Sequence, residues 1–367
     1  MARVDPGFME RARKLGAFDA TACYSCGNCS AICPLSEGRS SFPRKMVRYA
    51  LLGLEDKIRR SPELWLCYYC GDCSDSCPRE ADPGGLMMAL RRYAIGRTSI
   101  GRVANLFYHK AYSWVLWILL TVLAGGGVYL AANPRPNLEK VVPLSYVSLG
   151  FLHDFGIAIG VFLFLVVLVQ MVQLARSLRT EGGKVGPLLW IKGFFTVLVR
   201  EVLVQKKQKD CDKNDRYIAH LAVFWGFLGL LLATILVFGV DFFGFPEFFR
   251  VAAKLTGILS GAGLMYGSLY FIILRLKPKD IYAKHSDQSD WIFLGLLFLG
   301  GLTGFVLDAF MWLNLPWPAY IAFAAHLVVV FEMLVTLPFT KFAHALYRPF
   351  ALWLVEAKKG AAQPAGK

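Results

Sequence analysis

The chain has 367 residues, 56% of them hydrophobic and 18% charged, and a formal net charge of +14 from 40 Lys and Arg against 26 Asp and Glu. A mean hydropathy of +0.47 excludes an ordinary soluble enzyme. The positive excess does not by itself mean nucleic acid, because membrane proteins gather Lys and Arg on their cytoplasmic loops.

The first twenty residues, MARVDPGFMERARKLGAFDA, are charged throughout, unlike a cleavable signal peptide, so the N-terminus is expected to stay in the cytoplasm. Two matched runs follow, CYSCGNCSAICP at 23–34 and CYYCGDCSDSCP at 67–78. Each sets cysteines at C-x2-C-x2-C-x3-C before a proline: Cys23, Cys26, Cys29 and Cys33, then Cys67, Cys70, Cys73 and Cys77. A reducing compartment disfavours disulfides. Structural zinc competes, but zinc draws four ligands from two pairs and gains nothing from a third cysteine at the same spacing. Three closely spaced thiolates suit three corners of a [4Fe–4S] cubane, with the fourth ligand coming from elsewhere. The spacing matches the bacterial ferredoxin run, whose fourth cysteine ligates the other cluster in two-cluster proteins. On that precedent Cys23, Cys26, Cys29 and Cys77 hold one [4Fe–4S] cluster, and Cys67, Cys70, Cys73 and Cys33 the other.

Between the runs, SFPRKMVRYALLGLEDKI carries Met46, Tyr49, Leu51, Leu52, Leu54 and Ile58 at helical spacing, and GGLMMALRRYAIG follows the second run. Residues 1–98 are therefore expected to form a helical two-cluster ferredoxin domain rather than a small β-rich one.

Residues 99–355 carry apolar segments at about 112–132, 145–174, 217–240, 252–275, 291–313 and 317–347, each long enough to cross a bilayer. The expected fold is all-α, the ferredoxin domain fused to a six-helix transmembrane bundle. Arg91, Arg92, Arg97, Arg102 and Lys110 precede the first span, and Arg176, Arg179 and Lys184 follow the second. Lys206, Lys207, Lys209, Lys213 and Arg216 precede the third, and Arg275, Lys277, Lys279 and Lys284 separate the fourth from the fifth. The alternate loops are poor in positive charge, with Arg135 and Lys140 in 133–144, Arg250 in 241–251 and none in 308–318. The positive-inside rule puts both termini in the cytoplasm of a multi-pass protein of the cytoplasmic membrane, and nucleic acid is not expected as a partner. Residues 187–207 alternate apolar and basic positions, as an interfacial helix does, and the tail 356–367 is expected to be disordered. Cys211, alone in QKKQKDCDKND, receives no role.

Ionisable residues inside spans are functional candidates. His326 and His344 share the last apolar segment, and their separation of 18 residues is five turns, a rise of about 27 Å on one helix face. That arrangement suits two stacked haems, each bis-histidine ligated and closed to further ligands. Depth pairs His220 with His344 for an inner haem b and His153 with His326 for an outer one. The alternative is that such histidines only hydrogen-bond between helices. No CxxCH occurs, so any haem is non-covalent. His109 is a reserve ligand, and His285, in AKHSDQSD, reads as a solvated loop residue. Asp154, Glu332 and Lys341 are candidates for a quinone's carbonyls or protons, although internal ion pairs or snorkelling explain them equally; Asp308 is weaker. Pro338 is expected to kink the last span, and the glycines of 261–267 and 300–304 to allow close helix contact or room for a macrocycle.

These residues bring a family into view. CYSCGNCSAICP, FPRKMVRYALLGLEDKI and ELWLCYYCGDCSDSCPREA resemble the iron–sulfur C subunit of heterodisulfide reductases. AHLAVFWGFLGLLLAT, DWIFLGLLFLGGLTGF and LPFTKFAHALYRP resemble their membrane E subunit, which is similar in turn to the cytochrome b of respiratory nitrate reductase. Both in one chain resemble the membrane subunit of quinone-interacting membrane-bound oxidoreductase complexes. The resemblance implies two [4Fe–4S] clusters, two haems b, menaquinone chemistry and two soluble flavoprotein partners related to the A subunit of heterodisulfide reductases. It also implies electron exchange between menaquinol and adenylylsulfate reductase in dissimilatory sulfate metabolism. One position departs: the nitrate reductase cytochrome carries two haem histidines ten residues apart on the helix matching 217–240, and here His220 is followed by Leu230, so His153 has to be recruited. The expected function is that of a quinol-oxidising electron-transfer subunit of an oxidoreductase. A subunit of a heterodisulfide-reductase-type complex is the alternative. A transporter with a regulatory cluster domain is the reading from another class, and no pair of short, Gly/Pro-broken segments in matching halves supports it.

Overall fold

The computed structural model describes residues 3–36, 41–178, 185–211, 214–277 and 286–362. His285 and the flanking charges Arg179, Lys184, Lys213, Lys279 and Lys284 lie outside them. The described residues are helical, with a single isolated β-bridge between Ala132 and Val147. The N-terminal part is a set of short helices closed by a longer one, Pro83–Thr98. Phe8, Phe42, Met46, Ile58, Leu64, Trp65, Leu86, Met87 and Leu90 form its buried core. Asp82 starts the long helix: its carboxylate accepts from Gly85 N at 2.9 Å and from Ser74 Oγ at 2.6 Å. That buried cap also ties the helix to the loop of the second cysteine run.

Among the described residues, six helices are long and apolar enough to cross a membrane: Tyr112–Ala131, Leu149–Ser177, Asn214–Phe243, Phe248–Leu276, Gln288–Trp312 and Pro316–Thr336. The third and fourth spans form the tightest pair. A Cβ on Gly267 would lie 2.4 Å from Ala219 O, and one on Gly226 2.7 Å from Ser260 O, so only glycine permits this approach. The glycine-rich stretches serve helix contact: Gly261 faces Phe305, and Gly301 faces Met265. The first two spans lie at the edge, their exposed Val, Leu, Ile and Phe side chains forming a surface suited to lipid.

The last apolar segment is not one helix. The sixth span ends at Thr336, a 3-10 turn covers Lys341–Ala343, and a new helix runs His344–Ala362. Pro338 lacks the N–H that would continue the ladder, its ring opposes the carbonyl four residues back, and Thr340 is extended (φ −112°, ψ −165°). Pro338 therefore ends the helix rather than kinking it. His326 and His344 stand on different helices, so the five-turn, one-face relation expected for them does not hold. The final helix packs along Pro187–Val197, with Trp353 Nε1 donating to Trp190 O at 2.9 Å and Gly193 against Ala357. Helix Pro187–Val197 continues as a π-helical turn, Leu198–Leu203, before the chain reverses at Gln205 (φ 50°). Residues 356–362, expected to be disordered, continue the final helix, and 363–367 lie outside the described residues.

Candidate functional site

The two cysteine runs adopt one backbone twice. Ser25 (φ 62°) and Tyr69 (φ 58°) are left-handed, as are Gly27 (φ 96°) and Gly71 (φ 101°), which open the short helices Asn28–Ala31 and Asp72–Asp75. The left-handed residue turns its N–H back on the first cysteine of each run, Ser25 N to Cys23 Sγ at 3.3 Å and Tyr69 N to Cys67 Sγ at 3.4 Å. Ala81 N donates likewise to Cys77 Sγ at 3.4 Å. Such donors stabilise negative sulfur, and they are a lever on cluster potential. Asn28 Nδ2 donates to Ser76 O at 2.6 Å, joining the runs.

The joining interleaves the fourth cysteines. Cys33 lines one cavity with Cys67, Cys70 and Cys73, closed by Phe42, Pro43, Tyr69 and Met87. Cys77 lies within electrostatic reach of Cys29, together with Cys23 and Cys26. Burial pushes the Cys29, Cys70 and Cys73 thiols up, Cys70 to about 12. Among the described residues no three His, Cys, Asp or Glu side chains close on one point as a single ion requires. Thiols ranged around an apolar cavity fit a cubane, whose ligands stand at separated corners. Cys29 and Cys67 are buried, whereas Cys26 is exposed beside Tyr24, which is 59% exposed.

The second run faces the membrane part. Trp65 stacks on Tyr347 at 5.2 Å and 12°, a contact worth roughly 0.5–1.5 kcal/mol beyond its burial. Arg348 lies 3.9 Å over the Tyr68 ring, and the Tyr68 hydroxyl donates to Glu201 in the π-helical turn. Arg216, at the start of the third span, donates to Tyr69 O at 2.8 Å. Arg91, whose pKa burial pushes down to about 10, donates to Leu64 O at 2.8 Å and to Cys67 O. The Cys67 loop is thereby held against the helix that begins at His344 and the helix that carries His220.

A buried ion triad stands at the same seam. Asp290, 5% exposed, accepts from Arg92 at 3.0 Å and from Lys341 at 2.6 Å. Burial works against the Arg92 charge, and Asp290 and Asp287 outweigh it, holding the guanidinium above its ordinary value. Lys341, a quinone candidate in the sequence, is thus one arm of an ion pair. Glu332 is buried mid-span and accepts from the Thr121 hydroxyl, Asp154 is 85% exposed, and Asp308 pairs with Lys254 at 3.4 Å. Asp290 and Arg92 escaped the sequence reading because one resembled a loop acid and the other a flanking charge.

Each of the four candidate histidines has its Nδ1 engaged: His220 with Gln205 Oε1 at 2.7 Å, His344 with Lys341 O, His153 with Asp154 Oδ1 at 3.0 Å and His326 with Thr303 Oγ1 at 2.9 Å. Thr303 spends its own proton on Leu299 O at 2.7 Å, so it accepts from His326. Donation from Nδ1 leaves the Nε2 lone pair for a metal, the orientation that outer-shell partners impose on ligating histidines. His220 and His344 lie within electrostatic reach of each other. His153 stacks on Phe242 and Phe238 of the third span, His326 faces Gly304 of the fifth, and no ring contact joins these two among the described residues. His109 is exposed and lies against Tyr112.

Residues 22–81 match the 4Fe-4S dicluster domain family. Citrate utilization protein B of Escherichia coli is 28% identical over 262 residues, 68% of this chain and 66% of that protein. A protein of Archaeoglobus profundus that is like the C subunit of heterodisulfide reductase is 36% identical over 101 residues, 26% of this chain and 54% of the relative. The E subunit of the dihydromethanophenazine:CoB–CoM heterodisulfide reductase of Methanosarcina barkeri is 26% identical over 171 residues, 42% of this chain and 64% of its own. The chain thus spans between about half and two thirds of the length of these relatives. No solved structure matches. The chain carries a 4Fe-4S dicluster domain and is similar, over parts of its length, to C and E subunits of heterodisulfide reductases.

Proposed function

We propose that this chain is the membrane electron-transfer subunit of an oxidoreductase, exchanging electrons between menaquinol and cytoplasmic flavoprotein and iron–sulfur partners. The carrying observation is the docking of the Cys67 loop, through Trp65 and Tyr68, on the helix that starts at His344. Two [4Fe–4S] clusters and two haems b supply one-electron carriers when bound. Cys67, Cys70, Cys73 and Cys33 hold the cluster at the seam, and Cys23, Cys26, Cys29 and Cys77 hold the one at the exposed surface, where Cys26 and Tyr24 face a soluble partner. His220 and His344 hold the inner haem, and His153 and His326 the outer. The charged flanks favour both termini in the cytoplasm, in a protein of the cytoplasmic membrane. On the family resemblance, the proposed partners are two flavoproteins related to the A subunit of heterodisulfide reductases, with adenylylsulfate reductase as the proposed acceptor in sulfate metabolism.

In the haem test, purified wild-type protein gives a b-type spectrum. His220→Ala and His344→Ala each lose the same component, while His153→Ala loses the other. A wild-type protein without b-type absorbance rejects the haem assignment, and loss of both components in His153→Ala rejects the pairing.

For the menaquinol headgroup we favour the niche between Phe107, Trp117, Ile292, Phe293, Leu296 and Phe342, which holds ≈ 10 Å³ as it stands, so a ring enters by parting these side chains. Thr340 lines it with a buried hydroxyl that has no hydrogen-bond partner among the described residues, and the Asp290–Lys341 pair adjoins it. Thr340→Val should raise the KM for a menaquinol analogue about fivefold, the worth of one hydrogen bond of roughly 1 kcal/mol, with both haem bands and the iron content unchanged. An unchanged KM moves the quinol elsewhere.

The likeness to the E subunit of a dihydromethanophenazine:CoB–CoM heterodisulfide reductase favours a second reading, a heterodisulfide-reductase-type complex. Co-purified partners that reduce a thiol disulfide, rather than exchange electrons with adenylylsulfate reductase, decide for it.

A further inference from the structure

Away from the cysteines and histidines, a cavity of ≈ 640 Å³ opens between the cluster domain and the cytoplasmic end of the second span. Five arginines line it: Arg59 and Arg60 from the end of helix Glu55–Arg60, Arg97 and Arg102 from the end of Pro83–Thr98 and the turn after it, and Arg176 from the last turn of the second span. No carboxylate lines it, and its floor is the buried pair Thr98 and Ser99. Two of the arginines are answered nearby, Arg97 by Glu55 at 3.1 Å and Arg59 by Asp56 at 3.3 Å. Arg60, Arg102 and Arg176 have no ion-pair partner among the described residues.

Several like charges converging on one cavity repel one another unless an anion joins them, and guanidinium forks match phosphate oxygens in pairs. Two facts select the source of that phosphate. Arg176 lies in the final turn of a span, which puts the cavity at headgroup depth, where basic pockets beside membrane helices take acidic lipids. The volume also lies within the usual range for small-molecule sites, about 300–1,000 Å³, and exceeds the needs of a single phosphate. The second span, moreover, buries little of itself against the rest of the chain: only Val166, Gln170 and Leu174 are buried along it. A bridging anion would join that loosely held helix to the cluster domain.

We propose that this cavity binds the headgroup of an acidic phospholipid, preferably one with two phosphates, and so clamps the cluster domain to the second span. The full-length protein, purified in neutral detergent and exchanged into phosphatidylcholine nanodiscs with or without cardiolipin, tests it by native mass spectrometry and lipid phosphorus. Wild type should retain cardiolipin through washing. Arg102→Gln combined with Arg176→Gln should retain about tenfold less, the loss of roughly one strong charge-assisted contact, at unchanged iron per chain. Arg102→Lys with Arg176→Lys should fall between, because lysine keeps the charge and loses the fork. Equal retention by wild type and the glutamine variant overturns the proposal. Displacement of the lipid by millimolar inorganic diphosphate overturns it too, in favour of a soluble phosphate ligand, and so does wild-type protein that keeps no lipid but retains an acidic protein.

Discussion

Cys33→Ser should remove about half of the iron and leave the first run's cluster in place, although Cys33 belongs to the first run by sequence. The prediction rests on the cavity that Cys33 shares with Cys67, Cys70 and Cys73. Non-additivity provides the control, since residues that act as one unit do not add their effects. Cys33→Ser in a Cys67→Ser background should cost no further iron, whereas Cys33→Ser with Cys23→Ser should strip the chain of both clusters. Cys77→Ser should mirror this, being equivalent to Cys23→Ser. Iron and sulfide analysis with low-temperature paramagnetic resonance reads all four. If Cys33→Ser instead behaves as Cys23→Ser does, the clusters follow the sequence runs and the interleaved assignment is wrong.

Asp290→Ala should be the most destabilising single change outside the cysteines. The carboxylate is 5% exposed and faces Arg92, itself 12% exposed, and Lys341. Removing it leaves two cations in a low-dielectric seam, and breaking a buried pair from one side typically costs about 3–5 kcal/mol. Asp290→Asn, which keeps the shape and one acceptor, should cost less. Because Lys341 O also receives His344 Nδ1, the damage should spread to the inner histidine. Thermal melting in detergent, read beside the content of the proposed inner haem, should show both losses together. A variant that melts like wild type places the triad at the surface of a wetter seam than its burial indicates. Replacing Arg92, Asp290 and Lys341 together by apolar residues should recover much of the stability, since an unpaired buried charge is what costs most.

Much of this molecule is written locally. The cysteine spacing, the helical periodicity of the cluster domain and the six apolar spans are short-range patterns, because ligand geometry, helix period and bilayer thickness each set a fixed interval along the chain. The all-helical fold and the dicluster domain follow from those intervals. What the sequence left open were events between distant residues. Pro338 was visible, but whether it kinks or ends a helix depends on what receives the chain afterwards, here the helix Pro187–Val197 and the cluster domain. That outcome separated His326 from His344 and replaced a five-turn ruler with two helices. Trp65 and Tyr347, Tyr68 and Glu201, and Arg92 and Asp290 meet only because the cluster domain sits on one end of the bundle of spans, and no periodicity encodes a contact across so long a separation. Interval patterns determined which groups this protein can hold. Tertiary packing decided which cluster loop faces the membrane, because burial of the Trp65–Tyr347 stack and charge pairing at Asp290 act only once the two parts are together.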